Sequence, residues 1–298
     1  MKKADSWRED SDWETLHRDI LAVIFAKLDV MDLTNGASRL CSSWFLASHN
    51  RTLWNTIDLG KLGKVKKGRS LRSIMNKIRT FLFNVNEERT SLTYITKFSH
   101  TAPKNLFFTS SSWTEDGDVL FAAERLPNIE KLALPRRLLE SDKSLQLAFG
   151  KWKNLKTLII AHNRYPLTKA FEFQVLGENC SNLTNLKYLG CLDEHIAEQM
   201  ARYLQSIKRL SLQCSVVTTD EVLLLITNLR NLAVLNLSHC YGLDQESDMV
   251  LVYNLVQAAS KLDKFITCSQ GCTSCQEICS RSWVNKHWRN DEIKEFEF

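Results

Sequence analysis

The first sixty residues carry an apolar pattern with helical spacing. Residues 1–12 are polar and predict a disordered tail. A second apolar segment follows Asp32, which stands where a helix N-cap would, and the pair Leu53-Trp54 closes the unit. We predict an all-α module over residues 13–59 that docks against the rest of the chain, because so small a core is marginal alone. The apolar positions of its first helix recur every three or four residues, at Leu16, Ile20, Leu21, Ile24, Phe25 and Leu28.

A longer repeat begins near residue 105. The copies of its frame, Leu-x-x-Leu-x-Leu, are about 24–30 residues apart, which is the period of leucine-rich repeats, where each unit supplies a strand and a helix. Each unit can bury its apolar face only against its neighbours. The sequence therefore predicts an α/β leucine-rich-repeat solenoid over residues 105–268, with parallel strands on the concave face and helices on the convex face. The frames begin at Ile129, Leu155, Leu183, Ile207, Leu232 and, in a degraded copy, Leu262.

Composition changes this picture little. Residues 60–104 are predicted to form a basic linker and a helical connector between the two patterns. Lys and Arg exceed Asp and Glu by 39 − 34 = 5, an excess too mild to indicate nucleic-acid binding. No apolar run reaches the roughly 18–20 residues that span a bilayer. We therefore expect neither a nucleic acid nor a membrane as a partner.

The ordered motifs of the N-terminal module resemble an F-box. His17 stands where the family usually has a proline after the leucine, and Arg51 where a proline often precedes the Leu-Trp pair. With the cysteine-containing repeats that follow, the chain is similar to the plant F-box/leucine-rich-repeat family from Trp13 to roughly Phe265. The motifs are Trp13-Glu14-Thr15-Leu16, Asp19-Ile20-Leu21, Ile24-Phe25-Ala26-Lys27-Leu28, Asp32-Leu33, Cys41-Ser42-Ser43-Trp44 and Leu53-Trp54.

This resemblance implies a function. An F-box binds a Skp-type adaptor and through it a cullin, so the chain would be the substrate-recognition subunit of an SCF-type (Skp–cullin–F-box) ubiquitin ligase. It would be a non-catalytic adaptor without a cofactor, and it would act in the nucleus or the cytoplasm. The residues expected to face the Skp-type adaptor are apolar, and some of them must instead form the core of the module: Leu16, Ile20, Leu21, Ile24, Leu33, Trp44 and Trp54.

The concave face is the expected surface for an unknown protein substrate. Side chains between the framework leucines point to that face. Three of the ten such positions are basic and none is acidic, so an acidic or phosphorylated segment is one partner that would fit. The alternative is that polar strand positions serve solubility alone. The residues expected to bind the substrate are Lys131, Ile159, Lys187, Arg209, Ser211 and Asn236.

Cysteines are frequent near the C-terminus, where residues 269–298 are predicted to form a Cys-rich cap. Four thiolates can hold zinc or an iron–sulfur cluster. Ligands so close in sequence usually need a second, distant pair to complete a tetrahedron. We therefore predict no metal and keep a zinc site as the alternative, with Cys268, Cys272, Cys275 and Cys279 as its ligands.

Two other functions are open from the sequence alone. The chain could be a leucine-rich-repeat scaffold unrelated to ubiquitin, whose F-box has lost its partner. It could also be a metal-stabilised or nucleic-acid-binding module built on the C-terminal cysteines and the basic linker. No Gly-x-Ser-x-Gly, His-Glu-x-x-His or Rossmann glycine run occurs, so no enzyme active site is predicted.

Overall fold

The structure is a computed structural model. It describes residues 12–28, 30–62, 87–100, 102–110, 113–114, 117–134, 137–138, 141–161, 171–243, 249–268, 288, 290–294 and 296. The N-terminal part is helical, as predicted. Its α-helices are α1 (Arg18–Phe25), α2 (Val30–Asn35) and α3 (Ser42–Ser48), and its 3-10 helices are Asp12–Glu14, Ala37–Arg39 and Arg51–Trp54.

A parallel sheet of eight strands runs through the rest of the molecule, and the spatial order of its strands follows the chain. A separate parallel pair joins Trp113–Thr114 to Arg137–Leu138. The strands of the large sheet are β1 (Thr56–Asp58), β2 (Asn105–Phe107), β3 (Lys131–Ala133), β4 (Thr157–Ala161), β5 (Asn185–Leu189), β6 (Arg209–Ser211), β7 (Val234–Asn236) and β8 (Lys264–Ile266).

The middle residue of the repeat frame has the same register in all eight strands, so the predicted α/β solenoid is confirmed. Two further frames, beginning at Trp54 and Pro103, precede the frame at Ile129, which is the first that the sequence pattern predicted. All but the last of the aligned residues are at most 3% exposed. They are Ile57, Leu106, Leu132, Leu158, Leu186, Leu210, Leu235 and Phe265.

Helices cover one face of the sheet, and the opposite face is the concave face. Side-chain caps begin two of them: Ser141 Oγ accepts from the Ser144 amide at 3.2 Å and Asp193 Oδ1 from the Ile196 amide at 2.8 Å. From α5 to α11 each helix packs against the next. The helices are α4 (Leu59–Leu62), α5 (Glu87–Ser99), α6 (Asp118–Arg125), α7 (Asp142–Lys151), α8 (Phe173–Asn179), α9 (Glu194–Tyr203), α10 (Thr219–Asn228) and α11 (Met249–Ala259).

The N-terminal module and the solenoid share one hydrophobic core. A single buried cluster extends from Leu21 in α1 to Ala259 in α11. Helix α5 joins the two parts, because its Phe98 ring stacks on the Trp54 ring at 5.9 Å and its Tyr94 hydroxyl donates to Asn35 Oδ1 at 2.9 Å. The module therefore docks against the repeats through a packed interface.

The predicted division into tail, F-box, linker, repeats and cap stays a prediction. Residues 1–11 of the tail, 63–86 of the linker and 269–287 of the cap lie outside the described residues. Strand β1 lies within the range predicted for the F-box. It pairs with β2, however, and so forms the first strand of the large sheet. Within the part of the chain that the structure describes, no helix has the length and apolar character needed to cross a bilayer.

An ion-pair chain links the residues that precede β2, β3 and β4. The Glu130 carboxylate accepts from Lys104 Nζ and from Lys156 Nζ, each at 2.7 Å. The hydrogen bond from Lys104, followed by that from Lys156, lowers the pKa of Glu130. The lysine side chains are more than half exposed, so solvent screens both pairs and limits their contribution to stability.

We expect Glu130→Gln to lower the free energy of unfolding at about pH 7 by no more than about 1 kcal/mol. The folded-state pKa of Glu130 is depressed, so its stabilising effect is present above the unfolded-state pKa and is lost as the pH falls through the folded-state pKa. The difference between wild type and Glu130→Gln should therefore disappear in acid. Urea unfolding at neutral and acidic pH measures this, and a difference that persists in acid would contradict it.

Candidate interaction surfaces

Helix α1 has a buried face and an exposed apolar face. Leu21 and Phe25 are at most 1% exposed and belong to the shared core. Ile20 and Val23 are 51% and 67% exposed, and half-buried Leu16 stands four positions before Ile20. Ile20 and Val23, termed the α1 stripe, are three positions apart and share one side of the helix, whereas Leu16 lies in the bend that precedes α1. An exposed apolar stripe of this kind suits a protein partner.

A second apolar surface surrounds Trp44 in α3. A cavity of about 360 Å³ is lined by Trp13, Glu14, Leu40, Cys41 and Trp44. The Trp44 indole N–H donates to the Trp13 carbonyl oxygen at 2.9 Å, which holds the two segments together. Leu40 and Trp13 are 68% and 55% exposed. The cavity is therefore open to an apolar side chain from another protein.

The structure divides the seven residues predicted to face the adaptor. Leu21, Leu33 and Trp54 are at most 4% exposed and form the core of the module. Ile20 is exposed, whereas three residues lie half-buried against that core: Leu16, Ile24 and Trp44. Six exposed apolar residues of the module were not among the seven, and the helical phase of Ile20 could have revealed Val23. They are Trp13, Val23, Leu28, Leu40, Phe45 and Leu46.

His17 precedes α1 with a backbone conformation that proline also adopts. Its φ is −59°, within the range to which the pyrrolidine ring restricts proline. The His17 Nδ1 atom accepts from the Asp19 amide at 3.4 Å and lies 3.4 Å from Asp19 Oδ2. Arg51, the second departure from the F-box pattern, is exposed at the start of a 3-10 helix. The start of α1 therefore keeps a proline-compatible backbone with histidine in place.

On the concave face, four of the six residues predicted to bind substrate are buried. Ile159, Lys187 and Ser211 are 0% exposed and Lys131 is 8% exposed. Lys187 Nζ donates to Gln213 Oε1 at 2.8 Å, so this ammonium group has a partner within the chain. The other two residues, Arg209 and Asn236, are half-buried. Substrate binding by the six residues stays a prediction.

A part of the C-terminal region lies on the concave face. Trp288 and helix α12 (Asn290–Lys294), together termed the tail segment, contact strands near the beginning of the solenoid. The Trp288 indole N–H donates to the Phe108 carbonyl oxygen at 2.8 Å, and Lys131 Nζ donates to the Ile293 carbonyl oxygen. These contacts cover two of the concave positions expected to be open, Lys131 and Ile159. The position of Trp288 on the concave face was not predicted from the sequence.

The described cysteines are free thiols, of which Cys180 and Cys214 are buried and Cys191 is exposed. Burial raises the pKa of Cys180 to about 12 and also raises that of Cys240, so neither is a ready nucleophile. Cys268 Sγ lies 3.1 Å from His239 Nδ1. No cluster of three or more metal-ligating side chains occurs among the residues that the structure describes. Three ligands of the alternative zinc site lie outside those residues: Cys272, Cys275 and Cys279.

Comparison with known proteins relates the chain to two proteins of Arabidopsis thaliana. The F-box protein At4g11580 is 46% identical over the full length of both chains. The F-box/LRR-repeat protein At3g48880 is 28% identical, and the match covers 94% of this chain and 92% of that protein. No protein-family model matches.

Among solved structures, the leucine-rich repeat-containing protein LegL7 of Legionella pneumophila is similar with a TM-score of 0.43. The two sequences are 14% identical, and the match covers 68% of this chain and 70% of LegL7. The match at 46% identity over both full lengths carries the assignment. Since the helical module and the leucine-rich solenoid are those that the two Arabidopsis names describe, the chain belongs to the plant F-box/leucine-rich-repeat family.

Proposed function

We propose that this protein is the substrate-recognition subunit of an SCF-type ubiquitin ligase. The observation that carries the proposal is the α1 stripe, whose exposed Ile20 and Val23 stand on an F-box helix whose other apolar residues are buried or half-buried. Apolar side chains this exposed have no role in the core of the module, and a contiguous apolar surface typically marks a protein interface. The stripe and the cavity beside Trp44 would both contact a Skp-type adaptor and, through it, a cullin.

The core shared by the F-box and the repeats supports a role of the repeats in holding a substrate. Because α5 packs on both the F-box and the first repeats, a substrate held by the repeats would keep a fixed position relative to the adaptor. Ubiquitin transfer would then gain from a high effective concentration of substrate lysines near the loaded conjugating enzyme. In this role the protein needs no catalytic residue of its own.

The described thiols indicate the kind of cellular compartment in which the protein would act. All six cysteines that the structure describes are free, which is typical of proteins in a reducing environment. We therefore include the nucleus or the cytoplasm in the proposal.

Co-expression with a Skp-type adaptor, followed by size-exclusion chromatography, tests the proposal. A stable one-to-one complex that also recruits a cullin is the expected result. Folded protein that elutes alone, with the adaptor in a separate peak, would instead favour a leucine-rich-repeat scaffold unrelated to ubiquitin. Circular dichroism of the eluted protein verifies that it is folded in either case.

A further inference from the structure

The tail segment occupies an apolar groove on the concave face. Trp288 is 8% exposed and forms a cluster with buried residues from the strands, while Ile293 packs at its edge. Because side chains of neighbouring parallel strands align, these residues form a strip that crosses several strands. The cluster comprises Phe107, Ala133, Ile159, Ala161, Leu189, Cys214 and Trp288.

This groove is separate from the core that holds the solenoid together. The main cluster, between the sheet and the helices, and the cluster around Trp288 have no buried residue in common. The strands beneath the groove already pair with one another through their backbones. The tail segment thus sits on a completed sheet in the way that a bound peptide would.

The contacts of the tail segment are those of a peptide ligand. The Trp288 indole fills an apolar site and its N–H donates to the Phe108 carbonyl oxygen at 2.8 Å, the usual role of an anchoring tryptophan. Lys131 reaches across to the Ile293 backbone carbonyl oxygen. One side chain thus supplies the anchor and one lysine holds the peptide backbone.

Residues 288–298 and the concave positions predicted for substrate differ in the sign of their charge. Residues 288–298 contain four acidic and two basic residues. The concave positions predicted for substrate include Lys131, Lys187 and Arg209 and no acidic residue. An acidic segment on a basic face gains attraction that an apolar contact alone lacks.

The geometry points to the tail segment as an internal ligand of the concave face, in a groove that recognises protein segments with an aromatic anchor followed by acidic residues. This inference rests on the proposed function, since it names the class of substrate that the repeats would select. A substrate segment of that class competes with the tail segment for the groove. The tail segment is tethered to the repeats, so its effective concentration at the groove is on the order of a millimolar. Segments that bind the groove weakly therefore cannot displace it.

A synthetic peptide of residues 288–298, labelled with a fluorophore at its N-terminus, tests this competition. Its binding is measured by fluorescence anisotropy with full-length wild type and with full-length Trp288→Ala, which empties the groove. We expect the peptide to bind Trp288→Ala at least tenfold more tightly than wild type. A peptide carrying Trp288→Ala should bind neither protein.

Lys294→Ala is the matched control, because Lys294 is an exposed residue of the same helix. This variant should bind the peptide no better than wild type. A folded Trp288→Ala protein that binds the peptide no more tightly than wild type would overturn the inference, since the tail would then be a fixed structural element. Circular dichroism establishes whether Trp288→Ala is folded.

Hydrogen–deuterium exchange on the wild type gives a second test that needs no variant. Excess labelled peptide should raise deuterium uptake in residues 291–294, because the displaced helix loses its protection. Unchanged uptake under saturating peptide would contradict the inference. Adaptor capture is measured separately on the same proteins, so failure of the ligase proposal would appear as lost adaptor binding with peptide competition intact.

Discussion

Replacing Trp152 by alanine is expected to lower the free energy of unfolding by about 3–5 kcal/mol. Trp152 is 0% exposed and follows α7, where its ring lies 6.0 Å from that of Phe149. Its indole N–H donates to the Leu126 carbonyl oxygen of the preceding repeat at 2.8 Å. Alanine would leave a cavity between two repeats and an unsatisfied carbonyl oxygen, and both effects destabilise.

Urea unfolding followed by circular dichroism measures this loss, and two variants control it. Trp152→Phe keeps most of the packing and removes the hydrogen bond, so its loss should be smaller, about 1–3 kcal/mol. Leu147→Ala, at a residue of α7 that is 49% exposed, should change stability by less than about 0.5 kcal/mol. Equal losses for Trp152→Ala and Leu147→Ala would show that the repeat interface is not packed as described.

Neighbouring residues of α1 should give opposite results when truncated. Ile20→Ala with Val23→Ala removes two exposed side chains, so stability should change by less than about 0.5 kcal/mol. If the α1 stripe binds the adaptor, the same double variant should lose about 2–3 kcal/mol of binding free energy, roughly thirty- to 150-fold in affinity. Leu21→Ala, at a residue that is 0% exposed, should instead cost about 2–5 kcal/mol of stability.

Isothermal titration with a Skp-type adaptor and thermal unfolding of the same three proteins separate these effects. The double variant should melt like wild type and bind weakly, whereas Leu21→Ala should melt early. Full adaptor affinity in the double variant would move the adaptor surface away from α1. The next variants would then truncate the side chains that line the cavity beside Trp44.

Most of the solenoid was predictable because leucine spacing reports the strand register directly. The frames at Trp54 and Pro103 do not stand out in the sequence because residues other than leucine and isoleucine fill three of their six positions: Trp54, Pro103 and Phe108. A pattern of leucine-like residues alone therefore places the start of the solenoid two frames too late. Spacing of buried positions, rather than residue identity, defines the repeat.

The candidate surfaces were harder to predict, for two physical reasons. Helical periodicity gives the apolar residues of α1, but the side that faces the core depends on how the whole module packs, so Ile20 and Leu21 looked alike. Alternation along the strands predicts that the concave positions share one face of the sheet. Ile159 is covered by Trp288, which also donates to the carbonyl oxygen of Phe108, 180 residues earlier in the sequence, and no local pattern contains that information.

The long sequence separation between Trp288 and Phe108 has a consequence for synthesis on the ribosome. Phe108 and its strand emerge first, and at about 5–20 residues per second the 180 residues up to Trp288 take on the order of ten to forty seconds. Throughout that interval the nascent solenoid presents its apolar concave strip without the tryptophan that later covers it. The growing chain is then most exposed to chaperones and to aggregation, until Trp288 leaves the ribosome and packs on the strip.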